Sequence, residues 1–460
     1  MVTSRKAEVR ATSKADHSPS AVVEALRQQL GEIGDAPRVY IAFSGGGDSL
    51  ALLHAAAALA DELPPLAAIH VHHGLQAQAD AWVEHCREVC AALSVPLQVE
   101  YVHVDPTSVG VEAAARNARY RAFEQVLEPG AVLLAAHHLD DQVETFLLRA
   151  LRGSGSRGLA GIPVQRPLGR ARLLRPFLSL SRAELRRYLA AHDLRWVEDP
   201  SNFGVDADRN YLRNEILPKL QQRFAGARAG LAVAALQARE DSDLLDALAA
   251  MDMERCEQDG CLRVAAIASL NEPRRRNLLR YWIRQADLEP PGRARLARLD
   301  DLLDAGEDRL PVLEWSHGSV RRYRGLLYLL PPLPAPPSAD TVLRWTATKP
   351  LALPLGMLEL EAAQSGRGLA WEEGAVLEVR FRRGGERLRL AGAAHSRPLK
   401  KLLQERGMPP WERLYLPLLY VNGELAAVPG VGVTAGHTAA TDQVGFDLHW
   451  RRVVPSGRIC

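Results

Sequence analysis

The residues with the most chemistry to offer are Ser44, Gly45, Gly46, Gly47, Asp48 and Ser49, in one unbroken run. Glycines let a backbone pass close to an anion, and a helix N-terminus offers that anion unpaired N–H groups. A strand-like apolar run, Val39-Tyr40-Ile41-Ala42-Phe43, feeds this segment, and the Ala/Leu stretch that follows has helix-forming composition. The arrangement predicts a phosphate cradle between a strand and a helix. No Gly-Lys-Ser/Thr follows, so it is not the P-loop of kinases and GTPases, and the GxGxxG spacing of dinucleotide folds is absent. A glycine turn with no ligand is the plainer alternative.

A second group is Leu139-Asp140-Asp141-Gln142-Val143-Glu144-Thr145. Asp141 and Glu144 are three apart and Asp140 and Glu144 four apart, so all three carboxylates can share one helix face. Acids near a helix N-terminus also suit its dipole, but three exceed what capping needs. They could hold Mg²⁺ or grip a cationic substrate. Arg116 and Arg119 lie three apart on another helix pattern, where one could face phosphates and the other pair with an acid. Two solvated arginines are the alternative. His70, His72, His73, His137 and His138 fall at strand ends, with no Cys or carboxylate at zinc-ligand spacing, so no zinc site is expected. Nucleotide or substrate contacts fit them better, and His54 and His85 read as satisfied core histidines.

These groups need a scaffold. Strands are predicted at Val39–Phe43, Leu66–Val71, Leu97–Val102, Val132–Ala136 and Leu173–Pro176. Helices are predicted at Ser49–Ala60, Asp80–Leu93, Val111–Leu127, Asp140–Leu151 and Arg182–His192, the last opened by a Ser181/Glu184 capping box. Strand–helix alternation argues an α/β fold with a doubly wound parallel sheet, where ligands sit beyond the carboxyl ends of the strands. The loop, the histidines and the acidic helix all fall there. Residues 1–21 form a polar tail expected to be disordered, and 22–220 the α/β domain. Residues 221–330 read as mainly helical, 331–340 as a Pro-rich linker, and 341–460 as a small α+β module.

Composition excludes several classes. The 460 residues are 47% hydrophobic and 24% charged, an ordinary globular balance. A net charge of +2 does not announce a nucleic-acid binder. Its distribution says more: Arg149–Arg175 carries seven arginines and no acid, and excesses recur at Arg274–Arg298 and Arg380–Arg406. Such local excess suits a polyanion. The five cysteines show no C-x-x-C, so neither a disulfide scaffold nor an iron–sulfur set is expected. No run of 18 apolar residues and no signal peptide is found, which predicts a cytoplasmic protein without membrane contact.

The loop resembles the pyrophosphate loop of N-type ATP pyrophosphatases, which cleave ATP between its α and β phosphates. Taken together, the motifs resemble the tRNA(Ile)-lysidine synthetase family. The likeness runs from the loop through His72-His73-Gly74-Leu75, Ala115–Tyr120, His137–Thr145 and Leu151–Gly155. It continues in Trp196–Asn202, Asp208-Arg209-Asn210, Arg213-Asn214 and Ile216-Leu217-Pro218. Phe381–Glu386 and Ser396–Leu402 look like that family's C-terminal module.

The resemblance implies an adenine nucleotide α-hydrolase-like fold and a ligase. A wobble cytidine of the CAU anticodon of tRNA(Ile) would be adenylated by ATP, and free L-lysine would then displace AMP to give lysidine, converting decoding from AUG to AUA. Asp48 and Arg116 would be catalytic, Asp48 with Mg²⁺, and His72 would join Ser44–Ser49 at ATP. Asp141 and Glu144 would hold lysine, and Arg209, Arg213, Arg382, Lys400 and Lys401 would contact tRNA. Gly47 departs from a position usually bulkier and apolar, and Phe203–Ala207 lacks a usual tyrosine. The alternatives are a tRNA thiolase with the same loop, for which Cys86 and Cys90 lack spacing and context, and a non-catalytic RNA-binding protein. The oligomeric state stays open, a homodimer included.

Overall fold

Two short helices, α1 (Ser20–Arg27) and α2 (Leu30–Ile33), lead into β1 (Val39–Ala42), whose Val39, Tyr40 and Ile41 are buried. The computed structural model describes residues 20–74, 78–104, 111–198, 208–306, 309–363, 367–372 and 374–452. The chain divides into two compact units, Met1–Leu244 and Leu245–Cys460. The tail expected at 1–21 lies outside the described residues up to residue 19, as do Leu75 and the stretch 199–207, with Asp199-Pro200-Ser201-Asn202 and Phe203–Ala207.

In the first unit the chain continues through α3 (Gly47–Ala58), β2 (Leu66–His72), α4 (Ala79–Ala92), β3 (Leu97–Tyr101), α5 (Val111–Val126), β4 (Val132–Leu134) and α6 (Leu139–Leu151). A short α7 (Ser156–Leu159) precedes β5 (Gln165–Leu168), β6 (Ala171–Leu174) and α8 (Arg182–Ala191). The six-stranded sheet has the order β3-β2-β1-β4-β6-β5. Neighbours pair in parallel from β3 to β6, and β5 alone runs antiparallel to β6. The doubly wound parallel sheet expected from the sequence is thus present, with one added edge hairpin turned at Gly169, whose φ is +56°. That strand holds Pro167, which an edge tolerates and a central strand does not.

The switch point lies between β1 and β4, because β2 and β3 extend to one side of β1 while β4 and β6 extend to the other. Ile41, Phe43, Leu50, Leu52 and Leu53 pack one face of the sheet against α3 and α8, and Tyr40, Leu133, Phe123 and Leu173 pack the other. Each large apolar side chain withdrawn from water stabilises the fold by about 1.5–3 kcal/mol. The capping box holds as expected: Glu184 Oε2 accepts from Ser181 N at 2.6 Å, and Ser181 Oγ accepts from Glu184 N at 3.3 Å. After α8, α9 (Asp208–Tyr211), a π-helical turn at Leu212–Ile216 and α10 (Leu217–Arg223) lead into α11 (Ala227–Cys256), within which the division between units falls.

Helices predominate over 221–330, as read from the sequence, but the second unit adds a sheet there that was not expected. Helices at Val264–Ala268 and Glu272–Gln285 are accompanied by a five-stranded antiparallel sheet of Glu257–Gln258, Cys261–Arg263, Leu326–Leu330, Gly318–Tyr323 and Val312–Trp315. Those strands are rich in Leu and Arg, which carry little β-propensity, so composition hides them. The local signal is Arg324-Gly325, both at positive φ (+48° and +74°), which suits a two-residue hairpin turn. Pro331–Pro337 carries no helix or strand. Beyond it come the expected strand, Leu377–Arg380, and helix, Leu399–Glu405, within an α+β arrangement of short antiparallel sheets. Among the described residues no helix is long and apolar enough to cross a membrane.

Candidate active site

The glycine run lies where β1 ends and α3 begins. Gly45 has φ +84°, and a Cβ there would stand 3.2 Å from Cys86 Sγ, so conformation and crowding both require glycine. Gly46 is extended and caps α3 without a side-chain hydrogen bond, which leaves the first-turn N–H groups of the helix to a ligand. The two serines hold the loop's shape. Ser49 Oγ donates to Gly46 O at 2.9 Å and accepts from Ser44 N at 3.2 Å. Val197 N donates to Gly45 O at 3.1 Å, tying the segment after α8 to the loop. The space that a side chain at Gly47 would use is filled from outside the loop, with Leu189 Cδ1 3.1 Å and the Trp196 ring 3.4 Å from its ideal Cβ.

Two cavities meet at this loop. One, of about 330 Å³, opens at the ends of β1 and β2 and is lined by Ser44, Gly46, His70, His72, Trp82 and Arg119. The other, of about 260 Å³, is lined by Gly47, Asp48, Ser49, Arg182, Arg186 and Trp196. Ser44, Gly46 and Val197 line both. A base-sized space and a cation-lined space on either side of a ring of N–H donors suit a nucleotide with its phosphates. Of the two candidate arginines, Arg119 lines the first cavity, whereas Arg116 lies 5.1 Å over the Tyr120 ring. Arg182 and Arg186 were not singled out from the sequence. The capping box that starts α8 was their available signal, since it aims that helix's first turns at the sheet's carboxyl edge.

The histidines divide. His70 is buried and its Nδ1 lies 2.9 Å from Phe43 O, which joins the ends of β1 and β2. Burial holds its pKa below the ordinary value. His72 lies 3.2 Å from Asp80 and stacks near Tyr101. His54 is bonded to Tyr188 Oη at 2.7 Å, a satisfied core histidine as expected. His85 is not, because its Nε2 is buried without a partner among the described residues.

On α6 the three carboxylates take different partners. Asp140 is buried, accepts from Arg182 N at 2.8 Å and pairs with Arg228 at 2.6 Å, so it anchors α8 and α11. Glu144 is 1% exposed and accepts from Arg209 Nε at 2.7 Å, Arg213 Nε at 2.6 Å and Arg213 Nη2 at 2.9 Å. Asp141 accepts from Arg209 Nη2 at 2.7 Å and from His138 N at 3.0 Å. The carboxylates expected to hold lysine and two of the arginines expected on tRNA therefore meet each other. Charge-assisted, partly bidentate bonds of this kind offset the desolvation of so buried a cluster.

His138 lies among these acids, with Nε2 3.4 Å from Asp48 Oδ2 and 3.7 Å from Asp141 Oδ2. Burial lowers its pKa, but Asp141, Asp48 and Asp140 outweigh burial and leave it above the ordinary value. Asp141 titrates at about 2: burial pushes it up, and the charges of His138 and Arg209 pull it down further. His137 is driven to about 3, by burial first and then by Arg175, Arg116 and Arg209, against the pull of Asp141. One histidine of the pair is thus shifted towards its charged form and its neighbour held neutral.

In the second unit Lys400 and Lys401 are exposed on the helix Leu399–Glu405, and Arg382 is 3.6 Å from Glu386.

The comparisons with known proteins agree with this architecture. A PP-loop domain model matches residues 19–220, a TilS substrate binding domain model 262–328, and a TilS substrate C-terminal domain model 377–450. The tRNA(Ile)-lysidine synthase of Alkalilimnicola ehrlichii is 47% identical over 92% of this chain and 96% of its own. That of Pseudomonas aeruginosa is 46% identical over 88% of this chain and 92% of its own, and that of Serratia proteamaculans 41% over 92% and 97%. By sequence, by domain order and by the loop at its centre, the chain belongs to the tRNA(Ile)-lysidine synthase family.

Proposed function

We propose that this protein adenylates the wobble cytidine of a tRNA(Ile) with a CAU anticodon and then couples free L-lysine to it, giving lysidine and changing the codon read from AUG to AUA. As a member of its family it is a ligase that forms a C–N bond while ATP is cleaved to AMP and diphosphate. The observation that carries the reading is the meeting of two opposite environments, the N–H-lined loop with its two cavities and the carboxylates of α6, joined through His138 and Asp48.

The roles follow from charge. First-turn amides of α3, with Arg182 and Arg186 beside them, suit the diphosphate, which carries more negative charge as it leaves. Arg119 faces the same cavity as His72, and Arg116 lies one helical turn away on α5. The Asp48 carboxylate, with 35% of its side chain exposed, fits Mg²⁺, which takes one or two protein carboxylates and otherwise phosphate and water oxygens. When bound, Mg²⁺ would supply Lewis-acid neutralisation of the phosphates. His138, with its pKa raised beside Asp48, is placed to steady that carboxylate or to pass a proton. Asp141 and Glu144 suit the lysine ammonium by sign, and Arg209 and Arg213 must then yield to it and become available to RNA phosphates. Lys400, Lys401 and Arg382 suit the same polyanion elsewhere on the tRNA.

A sulfur-transfer reading finds less support. Burial pushes the thiols of Cys86 and Cys90 up to about 12 and about 11, and neither ionises readily near neutral pH.

The test incubates the protein with the CAU-bearing tRNA, ATP and lysine. The expected result is one AMP and one diphosphate per modified tRNA, and a tRNA mass increase equal to lysine less water. An unchanged tRNA mass alongside ATP hydrolysis would rule the reading out.

A further inference from the structure

We propose that Arg116, Arg166 and Arg175, gathered about Tyr120, form with Arg149 and Arg239 beside them a seat for backbone phosphates of the RNA strand entering the site, distinct from the nucleotide cavities. The inference rests on the tRNA reading above. Arg116 and Arg166 lie 5.1 and 4.6 Å from the centre of the Tyr120 ring. Arg175, just past the end of β6, is 3% exposed, and its Nε has no hydrogen-bond partner among the described residues. Arg149 on α6 lies within electrostatic reach of Arg116 and of Arg239 on α11.

The charge of this cluster is uncompensated. Among the described residues no carboxylate is ion-paired with Arg116, Arg149, Arg166, Arg175 or Arg239, in contrast to Arg209, Arg213 and Arg228 nearby. The members press on one another. Burial lowers the pKa of Arg149, and Arg239 and Arg116 lower it further. Burial likewise lowers that of Arg175; Tyr120 opposes this, and Arg166 and Arg116 lower it again. Burial would raise the Tyr120 phenol, yet Arg116, Arg175 and Arg166 bring it below its ordinary value.

Part of the cluster also clamps the chain between α7 and β5. Arg149 donates to Gly158 O and Gly161 O, Arg239 to Ala160 O and Ile162 O, and Arg175 to Pro163 O. A clamp on carbonyl oxygens needs donors but not five positive charges, since neutral amides would serve it without mutual repulsion. The excess charge calls for an anion. RNA is favoured over ATP by position, because none of the five lines either cavity at the loop. Arg166 lies on β5 and Arg175 just past β6, on the side of the sheet away from β2.

Arg166 is the member to change, since it takes no part in the clamp: its side chain bonds the adjacent Pro167 O at 3.1 Å and otherwise lies against Tyr120. Affinity of the full-length protein for the CAU-bearing tRNA is measured from low to moderate salt, with ATP affinity and thermal melting measured in parallel. Arg166→Gln should weaken tRNA binding roughly fivefold and flatten the log–log salt slope by about 0.7–1, with ATP affinity and melting unchanged. Arg166→Lys, which restores the point charge, should recover most of the slope. An unchanged tRNA affinity and slope in Arg166→Gln overturns the phosphate seat, as does a loss confined to ATP binding. If the wild-type protein itself fails to bind the tRNA, the functional reading falls, and that control separates the two failures.

Discussion

His138 Nε2 stands 3.4 Å from Asp48 Oδ2, so the first turn of the nucleotide-loop helix and the N-terminus of the acidic helix α6 share one charge contact. The contact makes the state of Asp48 readable at His138. Asp48→Asn removes one of the carboxylates that keep His138 above its ordinary pKa. The imidazole should then titrate at lower pH by NMR, and adenylation should slow roughly a hundredfold or more if Asp48 stabilises the transition state. Near-normal adenylation in the variant would take Asp48 out of the mechanism.

Asp141→Asn and Glu144→Gln are expected to raise the lysine concentration needed for half-maximal turnover while tRNA adenylation persists. Adenylated tRNA should therefore accumulate at low lysine. Glu144→Gln carries a second cost, because Arg209 and Arg213 lose a buried counter-charge, and the folded state should weaken by about 3 kcal/mol. Chemical denaturation reads that loss. Loss of adenylation in both variants, with the fold intact, would assign these carboxylates to the nucleotide instead.

His137 sets a pH dependence of opposite sense to that of a paired histidine. Its folded pKa of about 3 lies below the ordinary 6.5, so between these values the unfolded chain binds a proton that the folded chain does not. Stability from this group therefore falls as pH drops from 6.5 towards 3, by at most about 1.4 kcal/mol per pH unit. His137→Gln should flatten that part of the curve. Denaturation midpoints across this range that change in parallel for both proteins would refute the assignment.

Gly47 and Trp196 should be coupled. A larger side chain at 47 would meet Leu189 and Trp196, so Gly47→Leu alone is expected to lower stability by about 1–3 kcal/mol and weaken ATP binding. Adding Trp196→Ala opens the space and should recover part of both, with a coupling energy of at least about 0.5 kcal/mol in a double-mutant cycle. Strictly additive effects would show that the indole does not stand in for the missing side chain.

What the sequence made legible was local. The loop could be read because its glycines and serines act within a few residues of each other, and the capping box of α8 for the same reason. Arg116 and Arg119 could not be told apart, since residues three apart on a helix differ only in what packs against them. The pairing of Arg209 and Arg213 with Glu144 joins positions 65 and 69 residues apart, and nothing in either segment alone announces it. The hairpin strand β5 was hidden by Pro167, and the strands of 312–330 by a Leu/Arg composition that suits helices equally well.

The two margins of the first unit's sheet bear on how copies of the protein can associate. At one margin β5 carries Pro167, which has no N–H to give to an added strand, and at the other β3 carries Gln98 and Glu100, bonded to each other at 2.9 Å. Neither margin welcomes a seventh strand. Growth of this sheet from one molecule into the next is blocked at both ends, which guards a chain rich in apolar strands against aggregation by edge pairing.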